Sequence, residues 1–171
     1  MEIMEIIKGR RSIRRFHSKS IPQELVEELK EALIWAPSAG NLQARKFYFI
    51  YNPEIKKRLV EAALYQHFIA EAPLVVAACV DYSIERYYGR RGRELYCLQD
   101  VAASIENMLL LAHARGLGTC WVGAFDEREV TRLLRIPSPL RVVALIPIGY
   151  PAENPSPPPR VKIEDAVEEI P

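Results

Sequence analysis

The chain alternates between stretches with a helical apolar period and short runs that are apolar throughout. Ile3, Ile6 and Ile7 lie on one side of a short amphipathic segment that Gly9 can end. Leu25, Leu29, Ala32 and Leu33 recur at helical spacing after Ser20 and Gln23, which stand at capping-box separation, and Pro37 stops that helix. Residues 47–51 predict a first strand, and Asn52-Pro53 places a cap and a first-turn proline before a helix reaching about Leu64. Residues 74–80 and 140–148 are continuous apolar runs of the kind buried on both faces of a sheet, and residues 118–123 predict one more strand. Residues 93–115 predict the longest helix, with Leu98, Val101, Ile105, Leu109 and Ala112 as its stripe and Gly116 as its stop. Leu110 and Leu111 widen the stripe until the last turns need burial on several sides. Asp126 and Glu129 have capping-box spacing before a short helix ending near Arg135.

Two segments fall outside this pattern. Residues 82–92, rich in Arg, Tyr and Gly, predict a mobile crossing segment. Residues 151–159 carry five prolines and favour an extended, stiff spacer, yet Val161, Ile163, Ala166 and Val167 beyond it still call for burial. A stiff spacer with an apolar end predicts an arm laid across a surface. Strands alternating with helices leave the class at α+β or α/β.

Length and composition narrow the function. A chain of 171 residues is one domain's worth and can bury roughly 70% of its unfolded surface, so no metal or disulfide staple is required. A net charge of +1 removes the overall basic field of a dedicated nucleic-acid binder, so an anionic ligand must be held by a local cluster. Cys79, Cys97 and Cys120 are scattered and form no CxxC, which predicts free thiols in a reducing cytoplasm and no metal site. The longest apolar run is far short of a membrane span, and the acidic start lacks a secretion-signal pattern; the expectation is a soluble cytoplasmic protein.

No GxSxG, GxxxxGK[ST] or GxGxxG occurs, so the serine-hydrolase, P-loop and dinucleotide-fold readings have no foothold. Instead, Arg10, Arg11, Ser12 and Arg14 bring three guanidiniums and a hydroxyl within five residues, a composition suited to clamping a phosphate. The same residues could form a solvated basic turn. Pro37, Ser38, Ala39, Gly40, Asn41 and Gln43 combine small residues, which let a ligand approach the backbone, with amides suited to the edge of a polar heterocycle. An ordinary helix-ending loop has the same composition. Gly123 and Ala124 follow a strand and could turn backbone N–H groups toward a flat ring.

In their order and spacing these segments resemble the FMN-dependent nitroreductase family along almost the whole chain. The resemblance rests on RRSxR at 10–14, PSxxNxQ at 37–43, DxxxxxxN at 100–107, GLGxxWxGxF at 116–125 and IGYP at 148–151. It implies a single α+β domain over residues 1–171. In it a central mixed sheet is flanked by helices, and a long buried helix and the 151–171 arm lie at the interface of a homodimer. FMN would be the cofactor, bound between the two subunits. Arg10, Arg11, Ser12 and Arg14 would hold its phosphate, joined by Arg160. Pro37, Ser38, Ala39, Asn41 and Gln43 would approach the flavin from the other subunit. Gly123, Ala124 and, more loosely, Gln66 would meet the ring.

The implied activity is two-step exchange in one pocket: NADH or NADPH reduces the flavin at N5, and a nitroaromatic, quinone or similar small oxidant then takes the electrons. No side-chain nucleophile is required. No nucleic-acid or membrane partner is expected. Two departures stand out. Ala44-Arg45 follows the loop where the family often has Pro-Trp, which puts substrate preference there in doubt, and the chain is short for an inserted cover over the pocket. Other readings are an FMN-storage protein with little turnover, a dehalogenating or flavin-modifying relative, and a basic arm that binds nucleic acid.

Overall fold

The computed structural model describes residues 2–171. Strands β1 (Arg45–Ile50), β2 (Leu74–Asp81), β3 (Gly118–Thr119) and β4 (Leu140–Gly149) form one sheet in the order β1-β2-β4-β3. The class is α+β, as the resemblance implies. Each neighbouring pair of strands is antiparallel, and among the described residues the parallel pairing is confined to a bridge between Ser12 and Thr119.

The apolar runs at 74–80 and 140–148 become the two central strands because each must cover both faces of the sheet. Leu74, Val76, Ala78 and Val80 of β2 pack toward helices α2 (Gln23–Ile34) and α6 (Cys97–Ala114), as do Ala144, Ile146 and Ile148 of β4. Val75, Ala77 and Cys79 face the other way. With Val142 and Leu145 they meet Leu59 and Val60 of α3 (Pro53–Ala62), Ile69 of α4 (Phe68–Glu71) and Val130 of α7 (Glu127–Leu134). A bulge lets Ala78 and Cys79 pair with Ala144 and Val142, so Val143 is skipped and both facing sets stay in register. Fully burying side chains such as Leu29, Leu59 or Leu145 contributes roughly 1.5–3 kcal/mol apiece.

Several boundaries differ from the sequence expectation for local reasons. Pro22, not Ser20, sits at the N-cap of α2, and no side chain caps that end. Asn52 and Asp126 do cap α3 and α7, each accepting two backbone N–H groups. Strand β3 is only two residues long; the chain leaves the ladder at Cys120, and Val122 returns to Leu145 by an isolated bridge. The long helix starts at Cys97, because residues Gly92–Tyr96 wind as a π-helical turn. Residues 82–92 are ordered structure rather than a mobile crossing. A 3-10 turn (Tyr82–Ile84) leads into α5 (Glu85–Arg91), tied by the Arg93–Glu85 and Arg90–Glu94 ion pairs and by an edge-to-face contact of Tyr88 with Tyr96. Within α5, Gly89 adopts φ 53°, ψ −149°, a conformation available essentially to glycine alone.

Helix α6 buries Val101, Ile105, Met108, Leu109 and Ala112, but Leu98 stays exposed and Leu110 and Leu111 are only half-buried. The widened stripe is therefore not fully covered within one chain. At the N-terminus, α1 (Ile3–Gly9) exposes Ile3, Met4 and Ile7. The tail is anchored where it leaves β4: His17 N–H donates to the Tyr150 carbonyl (2.9 Å) and Ala152 N–H to that of Arg15 (2.9 Å). Beyond it the chain has no regular structure until one turn, α8 (Ile163–Ala166), with Val161, Ile163, Val167 and Ile170 exposed. No helix of the described residues is long and apolar enough to cross a membrane.

All three cysteines are buried, and burial pushes the Cys79 thiol up to about 12. Burial likewise raises Cys97 and Cys120. Because the thiolate is the reacting form, a disulfide-exchange reagent at neutral pH is expected to label none of the three in the native protein and all three in denaturant. Rapid labelling of native protein at Cys79 would contradict this packing.

Candidate functional site

The basic cluster begins where α1 ends and is fixed by backbone pairing. Ile13 N–H donates to the Thr119 carbonyl (2.8 Å), and Ser12 bridges the same residue, so residues 10–14 are pinned along the short β3 edge. Ile13 points inward and packs so closely on Gly118 that a Cβ there would meet its side chain. Alternation then turns the flanking Ser12 and Arg14 outward. Arg10, Arg11, Ser12, Arg14 and Arg160 line one cleft of about 340 Å³ together with Pro155, Ser156 and Pro158. Residues separated by some 150 positions thus face a common space.

The charge in this cleft is only partly neutralised. Arg10 makes a long ion pair with Glu106 (3.8 Å), and Glu153 accepts the Arg14 backbone N–H. Arg11 folds back on the carbonyls of Lys8 and Arg10, and Arg160 on those of Pro158 and Pro159. Each guanidinium has five N–H groups and keeps donors for an oxyanion. His113, at the end of α6, lies under the backbone of Gly9 beside these arginines. Burial first, then Arg10 and Arg11, holds it below the usual histidine range. The chemistry of the donor set fits a phosphate.

A second group stands farther along the same chain. Gly123 and Ala124 are exposed, and no atom lies within 4 Å of where a Gly123 Cβ would sit, so the space over this backbone is open. Gln66 Nε2 donates to the Ala124 carbonyl (3.0 Å) and to that of Ala63 (2.9 Å), fixing the turn from behind. Leu64 and Tyr65, just before it, have left-handed φ angles of 56° and 59°. Four residues separate Gly123 from Thr119, at most about 14 Å of chain.

Residues 37–43 form the third group. Gly40, Asn41 and Gln43 all have positive φ (54°, 55° and 52°). For the two non-glycines this is strain, of order 1–3 kcal/mol each, which the surroundings must hold in place. Gln43 N–H donates to Ser38 Oγ (3.0 Å), and Ala39 N–H to Asp100 Oδ1 on α6 (2.9 Å). The Tyr88 hydroxyl fills the space where Gly40 would carry a Cβ. Pro37, Asn41 and Gln43 are exposed, and Ser38 and Ala39 are half-buried.

The structure does not bring this loop to the clamp. The loop is held at Asp100 and the basic cluster at Glu106 and His113, about 9 and 20 Å along the helix axis from Asp100. One chain therefore displays an arginine-lined cleft with a neighbouring open backbone turn, and a strained loop held nearer the start of α6. Tyr88 and His113 carry no signal in the sequence that marks them as site residues, and Arg45 and Asp100 stand there only as a departure and as part of a motif. Those two carry a signal: Asp100 is a carboxylate within an otherwise apolar helical stripe, and Arg45 is a charge opening a buried strand.

A three-layer α+β sheet protein with an arginine-lined cleft at the edge of β3 is the class that fold and site define. The nitroreductase family model matches residues 7–66 and 61–150. The NADH dehydrogenase of Thermus thermophilus is 31% identical over 186 aligned residues, covering 92% of this chain and 91% of that protein. The FMN reductase [NAD(P)H] of Bacillus subtilis is 27% identical, covering 95% of this chain and 71% of that protein. Among solved structures, the NADPH:FMN oxidoreductase of Vibrio harveyi complexed with NAD+ superposes with a TM-score of 0.91 at 26% identity, over 98% of this chain and 76% of that one. The chain belongs to the nitroreductase family.

Proposed function

We propose that this chain is an FMN-dependent NAD(P)H oxidoreductase. It would act as a homodimer and pass electrons from NADH or NADPH to a small oxidant such as a quinone or nitroaromatic. The carrying observation is the shared cleft of Arg10, Arg11, Ser12, Arg14 and Arg160, a phosphate-type donor set pinned to β3 a few residues before the open backbone at Gly123 and Ala124. Bound FMN would supply the hydride chemistry. The chain's own residues bind and orient. The guanidinium forks and the Ser12 hydroxyl take the phosphate, Gln66 fixes the turn carrying Gly123 and Ala124, and residues 37–43 approach the ring from the second subunit. Uncompensated positive charge at the cleft also favours an anionic nicotinamide donor.

Two features of the single chain support a dimer. On one copy the 37–43 loop does not line the arginine cleft. Large apolar side chains also stay exposed on α1 (Ile3, Met4, Ile7), at the end of α2 (Ile34, Trp35), on α6 (Leu98) and along the arm. Closed two-fold association is the commonest way to cover such surface.

The deciding experiment is the visible spectrum of the purified protein with added FMN, recorded before and after NADH or NADPH under anaerobic conditions. Bound, bleachable flavin is expected. Protein that takes up no FMN overturns the reading, and bound flavin that neither donor reduces favours storage over turnover. For the arm, Arg160→Ala is expected to weaken FMN binding about tenfold, the effect of losing one charged hydrogen bond, while the dimer persists. Removing residues 152–171 should weaken both. A truncated protein with full flavin occupancy and an unchanged dimer, judged by light scattering, would remove the arm from the site.

A further inference from the structure

The residue that departs from the family pattern, Arg45, sits at the first position of β1 with its guanidinium turned back under the 37–43 loop. Its Nη1 and Nη2 donate to the carbonyls of Ala36 (2.8 Å), Ile34 (3.0 Å), Pro37 (3.2 Å) and Asp100 (3.4 Å). Three of these belong to the end of α2 and the segment after it, where a helix leaves carbonyls without intrahelical partners. The fourth belongs to α6. One planar fork thus ties helix end, loop and α6 together, a geometry that a lysine ammonium cannot reproduce.

Asp100 completes the arrangement from the other side. It is 4% exposed; Oδ1 accepts the Ala39 N–H, while Oδ2 has no hydrogen-bond partner. A buried carboxylate with an orphan oxygen is costly unless a cation stands near it. Arg45 stands there. Burial lowers the Arg45 pKa and the Asp100 charge pushes it back up, as for two groups sharing one field.

We propose that Arg45 and Asp100 are positioning residues: a cation and an anion that lock the 37–43 loop in its left-handed shape, so that it can meet the flavin of the second subunit. In this role Arg45 replaces packing by an aromatic with a set of hydrogen bonds and does not contact substrate. The functional part of the claim rests on the flavin reading above; the lock itself does not.

The test uses full-length protein with Arg45→Ala, Arg45→Lys and Asp100→Asn, and two separate readouts. Amide hydrogen exchange reads the lock without any ligand. Ala39 and Gln43 should exchange about tenfold faster in Arg45→Ala, the effect of roughly 1.4 kcal/mol of lost local protection, while Val76 in the sheet core stays unchanged. FMN titration followed by steady-state kinetics reads the function. Arg45→Ala should bind FMN about tenfold more weakly, and millimolar guanidinium chloride, unlike equimolar urea, should restore binding by refilling the site. Asp100→Asn should speed exchange at Ala39. If Arg45→Ala does not fold, Arg45→Lys decides: faster exchange at Gln43 and an altered visible circular dichroism of bound FMN are expected.

Unchanged loop exchange in the variants, or FMN loss that guanidinium repairs no better than urea does, overturns the proposal. Wild-type protein that takes up no FMN overturns the flavin reading instead, and the exchange data still decide the lock.

Discussion

Replacing Arg10 and Arg14 together with alanine is expected to cost at least 3 kcal/mol of FMN affinity, about a hundredfold or more, at roughly 1.5–3 kcal/mol per charged hydrogen bond lost. Both side chains face the cleft, and neither holds the fold together: Arg14 is exposed and Arg10 makes only a long ion pair with Glu106. Thermal stability without ligand should therefore move little, while the flavin dissociates on dilution. Salt should weaken wild-type binding measurably and the double variant much less, since exposed charge–charge attraction is screened. An FMN dissociation constant unchanged by the double substitution, measured by quenching of flavin fluorescence, would mean the clamp lies elsewhere.

The second large effect comes from mixing. In a dimer whose sites each take a clamp from one chain and a loop from the other, a clamp-defective chain and a loop-defective chain can repair one another. Arg10→Ala/Arg14→Ala and Asn41→Ala/Gln43→Ala proteins should each hold little FMN alone. Co-expressed in equal amounts, half of the dimers are hybrids, and each hybrid has one intact site and one doubly damaged site. About a quarter of all sites should therefore regain wild-type affinity, for random pairing of two-fold dimers. Sites built within one chain would show no recovery at all. The experiment thus tests the placement of the loop directly, with flavin occupancy per chain as the readout.

How far the sequence could be read depended on the range over which each feature is encoded. The clamp was legible because its residues are adjacent and their chemistry survives any local backbone. The central strands were legible because two-sided burial leaves unbroken apolar runs at 74–80 and 140–148. Strand β3 is shorter than its sequence suggests: residues 118–123 look like a strand, but only Gly118 and Thr119 find a continuous partner on β4. Residues 82–92 looked mobile because their stabilising contacts are ion pairs and ring contacts on an exposed surface, which leave no apolar period. Arg45 and Asp100 were the least legible. Fifty-five positions separate them, and their relation exists only once β1 and α6 are packed on either side of the loop.

The proline-rich tail has a kinetic consequence. The five prolines among residues 151–159 leave the chain little freedom, and at about 3.1 Å per residue such a segment reaches at most about 28 Å, near the 27 Å length of α6. A flexible linker of the same length would sample many end positions and would have to surrender them all when its tip docked. This one has already surrendered most of them during folding. The apolar residues at its end are therefore presented at a nearly fixed distance from the body, and their capture by another surface should be rate-limited by encounter rather than by search.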